Sequence, residues 1–213
     1  MSNVADEAPV ELPLFDLPIV LLPGELVPLH IFEERYKAMI DHCLERDEPF
    51  GVVLSDEDEG AHAIGCTAEV TEVLERFDNG RLNIVVAGRV PFRVLDRHET
   101  ELFPAGVVEP IDLGDEPLET DVDAKKRAMR AFADLAREAA EDPDAVVELP
   151  EGDSYDIAGR ITLPPETKQK LLETRSEAER MRILARALET VLQAVGRSRK
   201  IAEAAQSNGH ARL

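Results

Sequence analysis

The sequence of 213 residues has no tryptophan, and aromatic residues make up only 4% of it. The hydrophobic fraction of 44% is ordinary for a globular protein, so the core is expected to rely on Leu, Val, Ile and Ala. Two cysteines, Cys43 and Cys66, are too few for a disulfide framework. Cysteine is among the most often buried residue types, and Cys43 lies on the apolar face of a predicted helix. We therefore predict that both are core residues and not nucleophiles.

Long apolar runs and a secretory signal are also missing. No run of about 18 apolar residues is present, so the sequence predicts no membrane-spanning helix. The first eleven residues are acidic and lack the basic-then-apolar pattern of a signal peptide. We expect a soluble cytoplasmic protein that does not bind a membrane.

Basic residues are scarce in the first part of the chain. The formal net charge is −20, from 44 acidic and 24 basic residues. Residues 1–120 hold 27 acidic and 8 basic side chains, whereas residues 121–213 hold 17 and 16. This asymmetry predicts two regions with different surfaces. An acidic surface repels phosphate backbones, so nucleic acid is an unlikely partner.

The motifs of common enzyme and metal sites are absent. The sequence contains no Gly-x4-Gly-Lys-Ser/Thr phosphate loop and no Gly-x-Ser-x-Gly motif around its serines. His42 and Cys43 are adjacent on a predicted helix, where their side chains diverge by about 100°. His62 and Cys66 are too far apart along a predicted strand to form a tight pair of ligands. We predict no catalytic residue, no metal site and no cofactor.

The first half has the pattern of short strands with one helix among them. Prolines in residues 12–22 exclude a helix and favour an edge strand or the start of a strand. Residues 50–110 read as several strands, with a hairpin turn at Asn79-Gly80 and a bulge or bend at Gly88. Apolar residues between positions 32 and 46, starting at Phe32, recur every three or four residues and indicate a helix. Together these patterns predict a small barrel or sandwich with one inserted helix.

The second half is predicted to be helical. An acidic linker, residues 112–121, precedes it, and a capping-box pattern beginning at Thr120 starts the first helix. A short helix is expected around Tyr155, and another begins at Pro165, which suits a first helical turn. Ser176 is expected to cap the last and longest helix.

Several short segments, in one order from residue 12 to about residue 195, carry a family resemblance. The matching segments are Leu12-Pro13-Leu14-Phe15, Val20-Leu21-Leu22-Pro23-Gly24, Pro28-Leu29-His30-Ile31-Phe32-Glu33-Glu34-Arg35-Tyr36, Phe50-Gly51-Val52-Val53, Ile64-Gly65-Cys66-Thr67-Ala68, Gly80-Arg81, Gly88-Arg89, Phe92-Arg93, Ser154-Tyr155 and Lys168-Gln169-Lys170-Leu171-Leu172-Glu173. In these segments the chain resembles the substrate-binding N-terminal domain of the Lon protease, in its freestanding form.

This resemblance implies an α+β fold, with a PUA-like small β-barrel lobe that carries an inserted helix and a C-terminal helical lobe. The expected organisation is a disordered leader (residues 1–11), the barrel lobe (12–118), the helical lobe (119–205) and a frayed tail (206–213). The resemblance also implies a non-catalytic module, without an ATPase or peptidase domain, that binds unfolded or extended protein segments or joins a protease or chaperone complex. An adaptor role in protein quality control follows from it.

The candidate partner-contact residues are His30, Glu33, Arg35, Tyr36, Arg89, Phe92 and Tyr155. Two interpretations of residues 30–36 remain open: they form a rim that contacts a partner, or they have a purely architectural role. Glu33 and Arg35 cannot face each other at a spacing of two in a helix, so each is expected to bind a different strand. A groove between the lobes could accept an added strand.

The alternative function is that of an RNA- or small-ligand-binding PUA-like protein. Residues 175–213 hold 8 basic and 4 acidic side chains, so the last helix either docks on the acidic lobe or faces an acidic partner.

Overall fold

The computed structural model describes residues 8–56, 60–111, 113, 121–139 and 150–209. Within these ranges the chain forms one six-stranded sheet and five helices, in agreement with the predicted mixture of α and β structure. The elements are β1 (Val10–Leu17), β2 (Leu26–Ile31), α1 (Glu34–Arg46), β3 (Phe50–Asp56), β4 (Gly60–Arg76), β5 (Leu82–Glu99), β6 (Pro104–Pro110), α2 (Val122–Ala139), α3 (Ser154–Ala158), α4 (Pro165–Glu173) and α5 (Glu177–Gly209).

The strands follow the order β2-β5-β4-β3-β1-β6, and β6 also pairs with β5. Five strands, β5, β4, β3, β1 and β6, therefore form a closed circuit of pairings, and β2 lies outside it against β5. All pairings are antiparallel except that of β1 with β3. The two halves of β1 pair with different strands, and so do the two halves of β5.

The proline-rich strand was predicted to lie at an edge or to mark the start of a strand, and β1 lies between β3 and β6 with a single neighbour along its first half. Residues 10–13 of β1 pair with β6, and residues 14–17 pair with β3. Pro13 lies opposite Ala105 in the half that has β6 as its only neighbour. The missing N–H of proline can therefore point away from β6 without breaking a ladder on the other side. The edge strand is β2, a segment with its own Pro28 that was not predicted as a strand.

The predicted hairpin is confirmed, and the predicted bulge lies beside Gly88. Gly80, at φ 77°, lies in the turn between β4 and β5. Two residues of β5, Arg89 and Val90, lie opposite the single Thr67 of β4, whose Oγ1 accepts a hydrogen bond from Val90 N at 2.9 Å. Gly88 itself is needed for close approach, since a Cβ atom there would lie 2.1 Å from a backbone oxygen of the β1–β2 connection.

The helix starts were predicted with mixed success. Pro165 is the first residue of α4, and Ser176 Oγ accepts from Glu179 N at 3.4 Å at the start of α5, both as predicted. Helix α1 begins at Glu34 and not at Phe32. At the start of α2, Asp121 Oδ1 accepts from Ala124 N at 2.9 Å, while Thr120 lies outside the described residues.

One hydrophobic cluster joins the sheet to the helices. It includes Phe15 of β1, Met39 of α1 and Ile84 of β5 as well as Ile157 of α3 and Leu184 of α5. A smaller cluster draws only on the strand circuit, and its members are Leu12, Leu14, Val53, Phe92 and Val108. Cys43 and Cys66 are buried, which confirms the prediction that both are core residues.

Two elements extend past the bounds predicted for the lobes. Val10 and Glu11 pair with β6, and helix α5 runs to Gly209. The predicted leader and tail stay predictions. The division near residue 118 stays a prediction, and most of the acidic linker lies outside the described residues.

Candidate functional site

Two exposed aromatic side chains, His30 and Phe32, lie at the end of strand β2. Asn83 Nδ2 donates to Glu75 Oε2 at 3.2 Å, so Asn83 Oδ1 faces His30 and accepts from its Nδ1 at 2.7 Å. The His30 ring stacks on Phe32 with 6.0 Å between the ring centroids. Phe32 is 58% exposed because it precedes the first turn of α1. The hydrogen bonds thus fix His30, and Phe32 presents apolar surface to solvent.

Glu33 and Arg35 contact each other, which corrects the expectation that each binds a different strand. Arg35 donates to Glu33 Oε2 from Nη2 at 3.0 Å and from Nε at 3.2 Å. Glu33 is the N-cap of α1 with an extended backbone (φ −75°, ψ 136°), so the spacing rule for residues within a helix does not apply to it. The hydrogen bond that Arg35 donates to Glu33 raises the pKa of Arg35. Together, His30, Phe32, Glu33 and Arg35 form a surface that we call the β2 rim.

Arg89 is exposed and belongs to an acidic surface that adjoins the β2 rim through Asn83. Its Nε donates to Glu69 Oε2 at 2.8 Å. Glu69, Glu72 and Glu75 are all exposed on β4, and their pairing partners on β5 are two residues apart. The three carboxylates therefore lie on one face of the sheet, because side chains alternate along a strand.

The remaining three candidate residues are buried, so the structure places them in the core and not on a contact surface. Tyr36 packs against Phe15 with 4.2 Å between ring centroids, and burial raises its pKa. Phe92 fills the cluster inside the strand circuit. Tyr155 lies under the guanidinium of Arg180, whose Cζ is 4.5 Å from the ring centroid. Their surfaces are not available to a partner in this conformation.

A buried ion pair that the sequence did not reveal holds α3 against the start of α5. The side chains of Arg180 and Glu177 are 2% and 3% exposed, and Arg180 Nη2 donates to Glu177 Oε2 at 2.9 Å. Ser154 donates to Glu177 from its backbone N at 2.9 Å and from Oγ at 2.7 Å. Arg180 Nη1 donates to the carbonyl groups of Thr174 and Arg175. The network is internally satisfied, which indicates an architectural role.

Between the end of β3 and helix α4 lies a cleft of about 380 Å³, which we call the α4 cleft. Its lining residues are Pro18, Leu54, Ser55, Asp56, His62, Pro165, Glu166, Gln169, Lys170 and Glu173. Gln169 is only 4% exposed, and its Oε1 has no hydrogen-bond partner among the described residues. The sequence carried one signal for this burial, since Gln169 lies three residues before the buried Leu172 on the same helix face.

Other kinds of site are not indicated in the described part of the chain. Within those ranges, no three His, Cys, Asp or Glu side chains converge as metal ligands would. The helices described there are all too short or too polar to cross a membrane.

Comparison with known proteins identifies the family. The family model of the ATP-dependent protease La (LON) substrate-binding domain matches residues 11–190. The Lon protease of Anaeromyxobacter dehalogenans is 28% identical over an alignment of 214 positions, with 92% of this chain and 24% of that protein covered. The Lon protease of Paraburkholderia phytofirmans is 29% identical over 189 residues, with 79% and 23% covered. The chain thus spans about a quarter of the length of these relatives.

Two solved structures share the fold. A Lon N-terminal domain protein from Xanthomonas campestris superposes with a TM-score of 0.62 at 22% identity, over 81% of this chain and 95% of that one. The N-terminal domain of a Mycobacterium avium complex Lon protease gives a TM-score of 0.58 at 21% identity, over 84% and 98%. The sequence resemblance is confirmed, and the chain belongs to the family of the Lon substrate-binding domain.

Proposed function

We propose that this chain is a non-catalytic module that binds extended or unfolded protein segments and acts in the cytoplasm as an adaptor in protein quality control. The closed circuit of five strands corresponds in this proposal to the PUA-like barrel of the family. Family membership supports substrate binding, and the β2 rim carries the assignment of a surface. There an exposed phenylalanine adjoins a fixed histidine and an Arg–Glu pair that can exchange hydrogen bonds with a peptide.

The position of β2 favours addition of a strand. Within the described sheet, β2 pairs only with β5, so its outer edge can accept hydrogen bonds from an extended chain. Proline in a strand is tolerated where its nitrogen faces away from the neighbouring strand. The backbone polar groups of Pro28 and, two positions on, of His30 should therefore point to the outer edge. Because Pro28 offers no N–H, an added strand would pair best at the His30 end. That end adjoins the β2 rim.

The chemistry of the cysteines supports a non-catalytic role. Burial raises the pKa of Cys43 to about 11 and that of Cys66 to about 12. Both thiols are therefore protonated at neutral pH, and a thiol nucleophile must be a thiolate. The network of Ser154, Glu177 and Arg180 is buried and satisfied, so it offers no reacting group to a substrate.

The acidic face of β4 speaks against the alternative of RNA binding. Glu69, Glu72 and Glu75 project from one side of the sheet, where they would repel phosphate groups.

The test is binding of an unfolded protein by fluorescence anisotropy. Reduced and carbamidomethylated lysozyme, labelled with fluorescein, provides an unfolded basic probe. We expect the wild type to bind it and Phe32→Ser to weaken binding about tenfold, as truncation of an aromatic hot spot does. Leu102→Ser is the matched control, because Leu102 is another exposed large apolar residue, located in the β5–β6 connection.

Two results would contradict the proposal in different ways. Equal affinities of Phe32→Ser and Leu102→Ser would remove the β2 rim from the binding surface. Absence of binding to any unfolded probe would remove the function itself.

A further inference from the structure

We infer that the α4 cleft is a peptide subsite that holds one apolar side chain of a positively charged extended segment, whose backbone N–H donates to Gln169 Oε1. The inference rests on the proposed function for the nature of the ligand, but it concerns a site separate from the β2 rim. Three observations carry it: an unsatisfied buried acceptor, an apolar lining of suitable size, and an acidic border.

Gln169 supplies a buried acceptor that needs a donor. Its Nε2 donates to Ile64 O on β4 at 3.1 Å and to Glu173 Oε1 at 2.8 Å. A flipped amide would bring its oxygen against these two acceptors, so the orientation of the group is fixed by its partners. The atom left without a partner among the described residues is therefore the oxygen, which is almost fully covered, so neighbouring side chains must shift for a ligand N–H to reach it. Leaving a buried acceptor unpaired is unfavourable, and a ligand N–H placed there would relieve this cost.

The cleft has the size and the lining of a small binding site. Its volume of about 380 Å³ falls within the usual range of roughly 300–1,000 Å³ for ligand pockets. Pro18, Leu54 and Pro165 form apolar walls from three separate parts of the chain. Two of these residues are prolines, whose rigid rings lose little conformational freedom when a side chain packs against them. A leucine or phenylalanine side chain would bury its apolar surface here.

The border of the cleft selects for positive charge. Three carboxylates, those of Asp56, Glu166 and Glu173, line it together with one lysine, Lys170, and one histidine, His62. His62 Nδ1 lies 3.8 Å from Glu173 Oε1, so it compensates that carboxylate only when it is protonated. The whole chain carries a net charge of −20, which adds a longer-range attraction for basic segments.

A peptide combines these three requirements in one ligand. An apolar side chain fills the cleft, the adjoining backbone N–H reaches Gln169 Oε1, and a flanking lysine or arginine meets the carboxylates. The expected recognition element is thus an apolar residue beside a basic residue in an extended, unfolded stretch.

The experiment uses three acetylated, amidated and fluorescein-labelled octapeptides with the intact chain. The first is Gly-Ser-Lys-Leu-Phe-Lys-Ser-Gly; the second has glutamates in place of the lysines, and the third has serines in place of Leu-Phe. We expect anisotropy to show binding of the first peptide and at least tenfold weaker binding of the other two. N-methylation of the first peptide at one of its two apolar residues should cost about tenfold, because it removes the donor for Gln169.

Variants of the protein locate the peptide. Ser55→Trp, which fills the cleft, should weaken binding more than tenfold, and Glu166→Gln about threefold, as expected for a partly exposed charge pair. Glu45→Gln, which removes an exposed carboxylate on α1, is the matched control and should leave the affinity unchanged. In addition, the side-chain amide signals of Gln169 in a ¹H–¹⁵N NMR spectrum, assigned by their loss in Gln169→Met, should shift when the first peptide is added.

The outcomes separate this inference from the proposed function. Suppose that unfolded lysozyme binds, that Ser55→Trp and Glu166→Gln bind the first peptide like the wild type, and that both N-methylated peptides bind like the unmodified one. The α4 cleft is then not a subsite, and the proposed function stands. An unshifted Gln169 amide at saturating peptide overturns the inference in the same way. If neither the lysozyme probe nor any peptide binds, both proposals fail.

Discussion

Two Arg–Glu–Tyr groups in the described part of the chain have a buried tyrosine and the same ion pair, but the two ion pairs differ in exposure. At the β2 rim, Arg35 pairs with Glu33 and lies over the Tyr36 ring at 4.9 Å. At the start of α5, Arg180 pairs with Glu177 and lies over the Tyr155 ring at 4.5 Å. The side chains of the first ion pair are 54% and 43% exposed, against 2% and 3% in the second.

Burial decides what each group can do. The pair of Arg180 and Glu177 is buried, so its members depend on one another, on Ser154 and on the carbonyl groups that Arg180 contacts. The pair of Arg35 and Glu33 keeps contact with water and can exchange its hydrogen bonds for those of a partner at little cost. The same residue types therefore hold the fold in one place and remain available for recognition in the other.

The largest expected effect comes from breaking the buried pair. Arg180→Met should lower the free energy of unfolding by about 3–5 kcal/mol, because Glu177 stays buried without its counter-charge. Urea unfolding followed by circular dichroism measures this change, and Arg35→Met is the matched control in the exposed group. A loss below about 1 kcal/mol would mean that water reaches Glu177 and that the two groups are less different than their burial indicates.

Alkaline pH should separate the two tyrosines. Burial raises the pKa of Tyr155 to about 12, with the charge of Arg180 opposing the shift, whereas the unfolded chain releases this proton near pH 10. The folded state then binds more protons than the unfolded state between these values. The stabilising contribution is complete below pH 10 and is lost as the pH rises to about 12, which amounts to on the order of 3 kcal/mol.

The measurement is the urea midpoint at pH 8.5 and at pH 11.5. The wild type should lose more stability across this interval than Tyr155→Phe, and Tyr36→Phe should resemble the wild type more closely. Burial also raises the pKa of Cys66 to about 12, so part of the loss should remain in every variant. Identical pH profiles for the wild type and Tyr155→Phe would show that Tyr155 ionises in the folded state as it does in the unfolded chain.

At neutral pH the same substitution should have a smaller effect. The Tyr155 hydroxyl donates to Leu171 O at 3.3 Å, and this contact joins α3 to α4. Tyr155→Phe should cost about 0.5–1.5 kcal/mol, as removal of one buried hydrogen bond does. The ring and its contact with Arg180 are retained, so a loss above about 3 kcal/mol would point to a wider rearrangement around Ser154.

The smallest effect on stability is expected at the β2 rim. Arg35→Gln should change the free energy of unfolding by less than about 1 kcal/mol, because its ion pair is exposed. The same variant should weaken binding of the unfolded lysozyme probe while Arg76→Gln, in another exposed pair, leaves it unchanged. A large loss of stability together with unchanged binding would assign Arg35 to the architecture and contradict the comparison.

Local features of the fold could be predicted from the sequence because their causes are local. The turn at Asn79-Gly80, the start of α4 at Pro165 and the cap at Ser176 each depend on a few neighbouring residues. Strand β2 was missed because Pro28 reads as a break, and it becomes a strand only through pairing with β5. The family resemblance added the overall fold, which local patterns left between a barrel and a sandwich.

The candidate site was harder to predict because exposure depends on distant packing. Tyr36 belonged to the most distinctive motif, yet its ring is covered by Phe15 from β1. The hydrogen bond of Gln169 crosses from α4 to Ile64 on β4, and no spacing in the sequence foretells it. Residue types indicated which side chains can recognise a partner, and only the three-dimensional packing decides which of them reach the surface.

Strand β6 has a consequence for synthesis of the chain. It pairs with the first half of β1 and with the second half of β5, and it is the last strand of the sheet in chain order. A nascent chain on the ribosome that has released β1 to β5 therefore still carries two open strand edges, at Val10–Pro13 and at Phe92–Glu99. Open edges of this kind invite pairing between neighbouring copies. Emergence of residues 104–110 covers both edges in one step. The amount of aggregated protein should therefore depend on the spacing of ribosomes on the messenger as well as on the concentration of finished protein.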